Sequence, residues 1–171
     1  MQIRYFLIFT ASTLFIFLAL VFQENLSQFK SLGLVGIFLI NFLASATIFL
    51  PAPGIASVVA GGVLYPPVLV AIVSALGASA GDMVGFVLGH AGRKIFIKNH
   101  HRWYMMLKDK FKMFGDVIVF LFAFVPNPLF DAIGILAGVF AYSPVRFFMF
   151  MLAGRFIRNV LLAYLGNAFA P

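Results

Sequence analysis

The sequence predicts an all-α polytopic membrane protein, built as an inverted repeat of a re-entrant proline hairpin plus a transmembrane helix. Three observations lead there. The first is composition: 63% of the 171 residues are hydrophobic and 10% charged, with a mean hydropathy of +1.07. Soluble domains carry roughly 45–50% apolar and about 25% charged residues, so a chain this apolar has too little polar surface for water. The second is a series of apolar runs, several close to the roughly 20 residues that cross a hydrocarbon core. The third is punctuation: two Pro-x-Pro turns, Pro51-Ala52-Pro53 and Pro126-Asn127-Pro128, stop two of those runs.

The net charge of +7 does not indicate nucleic acid. Seven of the twelve Lys/Arg fall in one stretch, Arg93, Lys94, Lys98, Arg102, Lys108, Lys110 and Lys112. A basic cluster between apolar segments is the mark of a cytoplasmic loop. With no cysteine in the chain, disulfides and thiolate metal sites are excluded.

Read in order, residues 5–22 form the first apolar run, preceded by Arg4 and followed by Gln23-Glu24-Asn25. The run lacks a small-x-small cleavage site and is expected to be a retained transmembrane helix within residues 1–28. Residues 32–50 form the second run, which stops at Pro51-Ala52-Pro53-Gly54. A glycine-rich piece leads through Tyr65-Pro66-Pro67 to a third run, 68–90. The basic segment 91–114 follows. Residues 117–125 are apolar but only nine long, and a last run covers 144–165. Nine residues rise roughly 14 Å as a helix, about half the hydrocarbon thickness. Such a piece, ended by Pro126-Asn127-Pro128 and returning through Gly134 and Gly138, reads as a re-entrant hairpin, with a kinked full span as the alternative.

The chain also repeats itself. Phe49-Leu50-Pro51-Ala52-Pro53 matches Phe124-Val125-Pro126-Asn127-Pro128, and Tyr65-Pro66-Pro67-Val68 matches Tyr142-Ser143-Pro144-Val145. Gly77 then falls on Gly154, Asp82 on Asn159 and Gly89 on Gly166. Upstream, Phe29-Lys30-Ser31-Leu32-Gly33 matches Phe111-Lys112-Met113-Phe114-Gly115. These anchors give repeat 1 at about 29–90 and repeat 2 at about 111–167. A hairpin plus one full span crosses an odd number of times, so the second copy is expected inverted. Paired Gly/Pro-interrupted segments in two halves point to a transporter's midplane site. With 91–114 cytoplasmic and Arg146 entering from the same side, the first hairpin is expected outside and the second inside. Whether 32–50 crosses fully or forms a hairpin arm stays open.

Charge within the bilayer costs roughly 2.5–3.5 kcal/mol at a helix centre, so it marks function or pairing. Asp82 lies in the third run and Arg155 near the middle of the last; Arg158 and Asn159 follow one turn later on the same face. Asp131 sits just past the second proline turn. An inverted arrangement brings Asp82 toward the Arg155/Arg158 face, either as part of a path for an anionic ligand or as a purely structural pairing. The turn residues Pro51, Pro53, Gly54, Pro126, Asn127 and Pro128 read as scaffold. Gly77, Gly81, Gly85 and Gly89, each four apart, form a stripe where another helix approaches closely. Trp103, Leu107, Phe111 and Phe114 share one face among Lys and Arg, which suggests an amphipathic helix at anionic headgroups. His90, His100 and His101 lack metal-ligand spacing. No nucleophile–base pair, phosphate loop or cofactor fingerprint is present, so neither an enzyme nor a bound cofactor is expected.

The Pro-x-Pro-Gly turn, the Gly77-to-Asp82 segment and Gly89-His90-Ala91-Gly92-Arg93 together resemble the DedA / VTT-domain (SNARE-associated) membrane proteins. Phe124-Val125-Pro126-Asn127-Pro128-Leu129-Phe130-Asp131, followed by Gly134 and Gly138, resembles the second hairpin of a small VTT-domain branch. The resemblance covers roughly residues 29–167. It implies two opposed re-entrant hairpins and a role in moving lipids across the bilayer, as in phospholipid scrambling or recycling of polyprenyl-phosphate carriers. In the better-known bacterial pattern an acidic residue follows the first Pro-Gly, where this chain has Ile55. Arginines flank the second proline turn there, where this chain has Ala123 and Leu129. Asp131, Asp82, Arg155 and Arg158 are the substitutes this chain offers.

The leading expectation is therefore a scramblase or flippase in the plasma membrane of a prokaryote. Its partners would be membrane lipids with anionic or phosphate-bearing headgroups and no nucleic acid, with a homo-oligomer left open. The alternatives are a proton- or cation-coupled transporter of a small solute, using Asp82 or Asp131, and a membrane scaffold that engages a partner through the basic segment.

Overall fold

A computed structural model of the chain describes residues 26–46, 52–99, 101–125 and 130–169. The apolar run 5–22, Pro51 and the turn Pro126-Asn127-Pro128 lie outside the described residues. Six helices follow one another: α1 (Leu26–Ala46), α2 (Ala52–Leu64), α3 (Pro67–Asn99), α4 (His101–Phe124), α5 (Phe130–Val139) and α6 (Pro144–Asn167). The described residues contain no strand.

Local chemistry sets the helix boundaries. Gly33, at φ 55° and ψ −140°, bends α1 near the start of its apolar part, Leu32–Ala46. That backbone is open to glycine and strained for other residues. Prolines stand in the first turns of α2, α3 and α6 (Pro53, Pro67, Pro144), where no helical N–H is forfeited. The end of α5 is closed by two backbone bonds, Ala141 N to the Gly138 carbonyl (3.0 Å) and Tyr142 N to the Ala137 carbonyl (2.9 Å). This is the paired closure of a Schellman motif, with Ala141 taking the left-handed position at φ 54°.

Two helices are long and apolar enough to cross a membrane, Pro67–Lys94 within α3 and Pro144–Asn167. They agree with the third and last apolar runs of the sequence. The segment 91–114 differs from expectation. It is shared between two helices: α3 carries on to Asn99, and α4 starts at His101 and runs unbroken into the apolar piece Met113–Phe124. The expected aromatic face also divides, since Phe111 is buried and Phe114 is exposed. The side chains of Trp103 and Leu107 lie outside what is described.

The two long helices pack against each other. α1 and α5, and more lightly α2 and α4, lie on α3, while α2, α4 and, more lightly, α5 lie on α6. Backbones approach at glycines. A Cβ at Gly77 or Gly81 would overlap the Phe38 or Phe42 carbonyl of α1, and one at Gly89 would overlap the Ile135 carbonyl of α5. The glycine stripe of α3 thus serves two partners along its length, α1 first and α5 further on. Rings and methyls fill the remaining space, with Phe86, Tyr104, Phe111, Phe140, Phe147 and Met151 in one cluster and Ile37, Val58, Val70 and Ala163 in a second.

The outside is apolar as well. Val68, Ile72, Leu76, Val84, Val87 and Leu88 of α3 are exposed, as are Val145, Met149, Ile157, Leu161 and Leu165 of α6. Stripes of this length exceed what soluble monomers leave bare. The polar groups sit inside, where those two helices meet.

Candidate functional site

The centre of the protein is a buried polar cluster at the crossing of α3 and α6. Asp82 lies midway along the apolar part of α3 and Arg155 midway along α6. Arg155 donates from Nε to Asp82 Oδ2 and from Nη2 to Asp82 Oδ1, both at 2.7 Å. The pair is almost fully shielded, at 3% and 2% exposure. A planar guanidinium and a carboxylate meet here in the bidentate geometry that gives such pairs both strength and direction.

A second polar thread runs beside the pair. Arg158 Nε donates to Asn159 Oδ1 (3.2 Å), Asn159 Nδ2 donates to Ser74 Oγ (2.8 Å), and the Ser74 hydroxyl donates to the Ala71 carbonyl (3.3 Å). Asn159 and Ser74 are fully buried, so the thread ties α6 to α3 out of contact with solvent or lipid. Across the cluster, Asn41 of α1 donates to its own Ile37 carbonyl (2.8 Å) and to Ser57 Oγ of α2 (2.9 Å). Ser57 in turn donates to the Gly54 carbonyl (2.8 Å). A cavity of about 10 Å³, the size one water needs, lies between these groups. It is lined by Asn41, Ser45, Gly54, Ile55, Arg155 and Arg158.

Four of the five charged or amide residues expected to gather thus do so: Asp82, Arg155, Arg158 and Asn159. The fifth, Asp131, stands in the first turn of α5, and its side chain lies outside what is described. Of the hairpin residues, Pro53 and Gly54 lie in the first turn of α2, and Gly54 borders the cavity. The glycines of α3 take packing positions, with Gly77, Gly81 and Gly89 buried and Gly85 partly so. Sequence reasoning passed over Asn41, Ser45, Ser57, Ser74 and Ser79. Serines are common in membrane helices and carry no signal alone. Asn41 did carry one, as the only amide in the run 32–50. Among the described residues no group of three His, Asp or Glu side chains converges as a metal site.

Two helices long and apolar enough to cross a membrane, apolar outer faces and an ion pair sealed between the two helices fit a helical membrane protein with a charged centre. A family model described as the VTT domain matches residues 50–168, and the chain belongs to that family. No curated protein and no solved structure matches it.

Proposed function

We propose that the protein is a lipid transporter, a scramblase or flippase that moves phospholipids or a polyprenyl-phosphate carrier. In this reading the headgroup passes between two opposed re-entrant hairpins, α1–α2 and α4–α5. The observation that carries it is the convergence on the mid-span cluster of polar side chains from α1, α3 and α6 and of the first turn of α2. The first turn of α2 reaches the cluster through Gly54, which shares the small cavity with Arg155 and Arg158. Gly134, early in α5, backs onto Asp82, whose carbonyl oxygen would lie 3.1 Å from a Cβ placed there. Helix N-termini carry partial positive charge and unpaired N–H groups, so the start of α2 beside the cavity favours a phosphate. Discontinuous helices ending at the bilayer centre are the usual frame of a transport site.

The inverted repeat is part of the proposal, and the packing supports it. Phe38 and Phe42 stack at 6.4 Å and 7°, and Phe120 and Phe124 stack at 6.3 Å and 4°. Phe38 lies five residues past Gly33 and Phe120 five past Gly115, the same step from the matched Phe-Lys-x-x-Gly motifs. Gly77 faces the Phe38 carbonyl as Gly154 faces that of Phe120. The short helices are exchanged: α5 packs on α3 through Gly138 against Phe86, and α2 packs on α6 through Gly62 against Ala163. Exchange of this kind is what a twofold axis relating the two halves produces, and inversion of the halves would put that axis in the membrane plane. The basic ends of α3 and α4, with Arg146, would then face the cytoplasm of a prokaryotic cell.

The test uses purified protein in liposomes carrying fluorescent lipids in both leaflets, with an impermeant quencher added outside. Bleaching beyond the outer-leaflet half, reduced in Arg155→Ala and Asp82→Asn, is the expected result. The double variant Asp82→Asn/Arg155→Gln keeps a neutral hydrogen-bonded pair and controls for folding, which gel filtration monitors. Bleaching that stops at half with folded wild-type protein, with or without an imposed pH gradient, would overturn the proposal.

A further inference from the structure

We propose that the protein holds one anionic phospholipid in a second site, a basic pocket at the end of α5 and the start of α6, remote from the mid-span ion pair. The pocket encloses about 270 Å³ and is lined by Lys108, Phe111, Phe140, Tyr142, Ser143 and Arg146, with Ala141 at the turn. Its floor is aromatic: the Phe111 ring lies 5.2 Å from that of Phe140 and 5.9 Å from that of Tyr142.

The charges of this pocket are available to a ligand. Neither Lys108 nor Arg146 has a described carboxylate within 4.0 Å. Lys108 rests over the Tyr104 ring at 5.8 Å, and Arg146 is exposed. Neither acid of α4, Asp109 or Asp116, lines the pocket, and Asp116 accepts a hydrogen bond from the Tyr142 hydroxyl. The start of α6 adds to the positive field. Ser143 is its N-cap but makes no side-chain cap bond, and its first turn holds no acidic residue. Two cations and a hydroxyl around one cavity are the chemistry of a phosphodiester site.

The surroundings select a lipid over a soluble phosphate. The pocket lies where α6 enters the apolar layer, and Val145 and Met149 beside Arg146 are 70% and 57% exposed. On α4, Met113, Phe114 and Val117 are exposed beyond Phe111. These apolar residues follow Phe111 along α4 and flank Arg146 along α6. A headgroup in the cavity therefore leaves its acyl chains against surfaces that already face lipid. The site lies at the same end as Arg93, which donates to the Tyr104 hydroxyl (2.9 Å), so anchoring there would hold the ends of α3, α4 and α6 to one leaflet.

The experiment is native mass spectrometry of the full chain in a neutral detergent, offered phosphatidylglycerol and phosphatidylcholine at equal concentration. Wild type is expected to retain one phosphatidylglycerol about tenfold over phosphatidylcholine. The Lys108→Gln/Arg146→Gln variant is expected to lose that preference, while Lys94→Gln, an exposed charge outside the pocket, keeps it. Arg146→Gln alone changes an exposed side chain and serves where the double variant does not fold; a reduction of about fivefold or more is expected. Unchanged retention in Arg146→Gln overturns the proposal. So does full displacement of the lipid by millimolar glycerol 3-phosphate, which would assign the pocket to a soluble ligand. The readout is binding alone, so failure of lipid translocation in liposomes leaves this result standing.

Discussion

Arg155 and Asp82, on different helices and 73 positions apart in sequence, meet through two hydrogen bonds of 2.7 Å with almost no exposure of either side chain. Desolvating both charges is expensive, and the compensation comes only while both are present. Removing one partner leaves a buried charge, so Asp82→Ala or Arg155→Ala is expected to cost about 3–5 kcal/mol of stability. Replacing the pair together by Asp82→Leu/Arg155→Met is expected to cost far less than the sum. Denaturation in detergent across this double-mutant cycle measures the coupling.

Glycines at helix crossings give a sharper comparison. A Cβ at Gly89 would overlap the backbone carbonyl of Ile135, and one at Gly166 would overlap that of Val59. Backbone cannot step aside as a side chain does, so alanine at either site forces two helices apart. A loss of about 1–3 kcal/mol is expected. Gly92, also within α3, would place a Cβ in open space, with nothing within 4 Å. Gly92→Ala is expected to gain about 0.5–1 kcal/mol through helix propensity alone. Thermal unfolding of the three variants side by side checks both signs.

Ala141 occupies a left-handed backbone position at φ 54° to close α5. Such a conformation costs a non-glycine residue about 1–2 kcal/mol. Ala141→Gly relieves it at the expense of unfolded-state entropy, so a small net gain of about 0.5–1 kcal/mol is expected. Because Ala141 lines the basic pocket with its backbone turn intact, lipid retention should not change in this variant.

Tyr142 supplies a pH-dependent term. Burial, then the hydrogen bond and charge of Asp116, push its phenol well above the ordinary tyrosine range, with Arg146 opposing weakly. A raised folded-state value means the native protein keeps a proton that the unfolded chain releases above about pH 10. The contribution is therefore complete below that pH and falls as pH rises further. Tyr142→Phe is expected to flatten this part of the stability profile between roughly pH 9 and 11.5, and following unfolding across that range tests it.

The sequence by itself determined the class and the two helices long and apolar enough to span a membrane. Hydrophobic length and proline position are local properties, and 68–90 and 144–165 correspond to the apolar cores of α3 and α6. The burial of Asp82 beside Arg155 was also legible, because a lone charge in an apolar run needs a partner and the last run offered Arg155 and Arg158. The tertiary structure alone decided the rest. It joined the basic stretch to the apolar piece at Met113–Phe124 as one helix, since polar and apolar halves are equally helical and only packing says where a helix leaves the interface. It recruited Asn41, Ser57 and Ser74, ordinary residues until three helices bring them within hydrogen-bond reach. It also formed the pocket between Lys108 and Arg146, residues 38 positions apart whose proximity depends on how α4, α5 and α6 converge. Free-energy costs along one helix can be read from its own residues; contacts between helices depend on the complementary surface that each one meets.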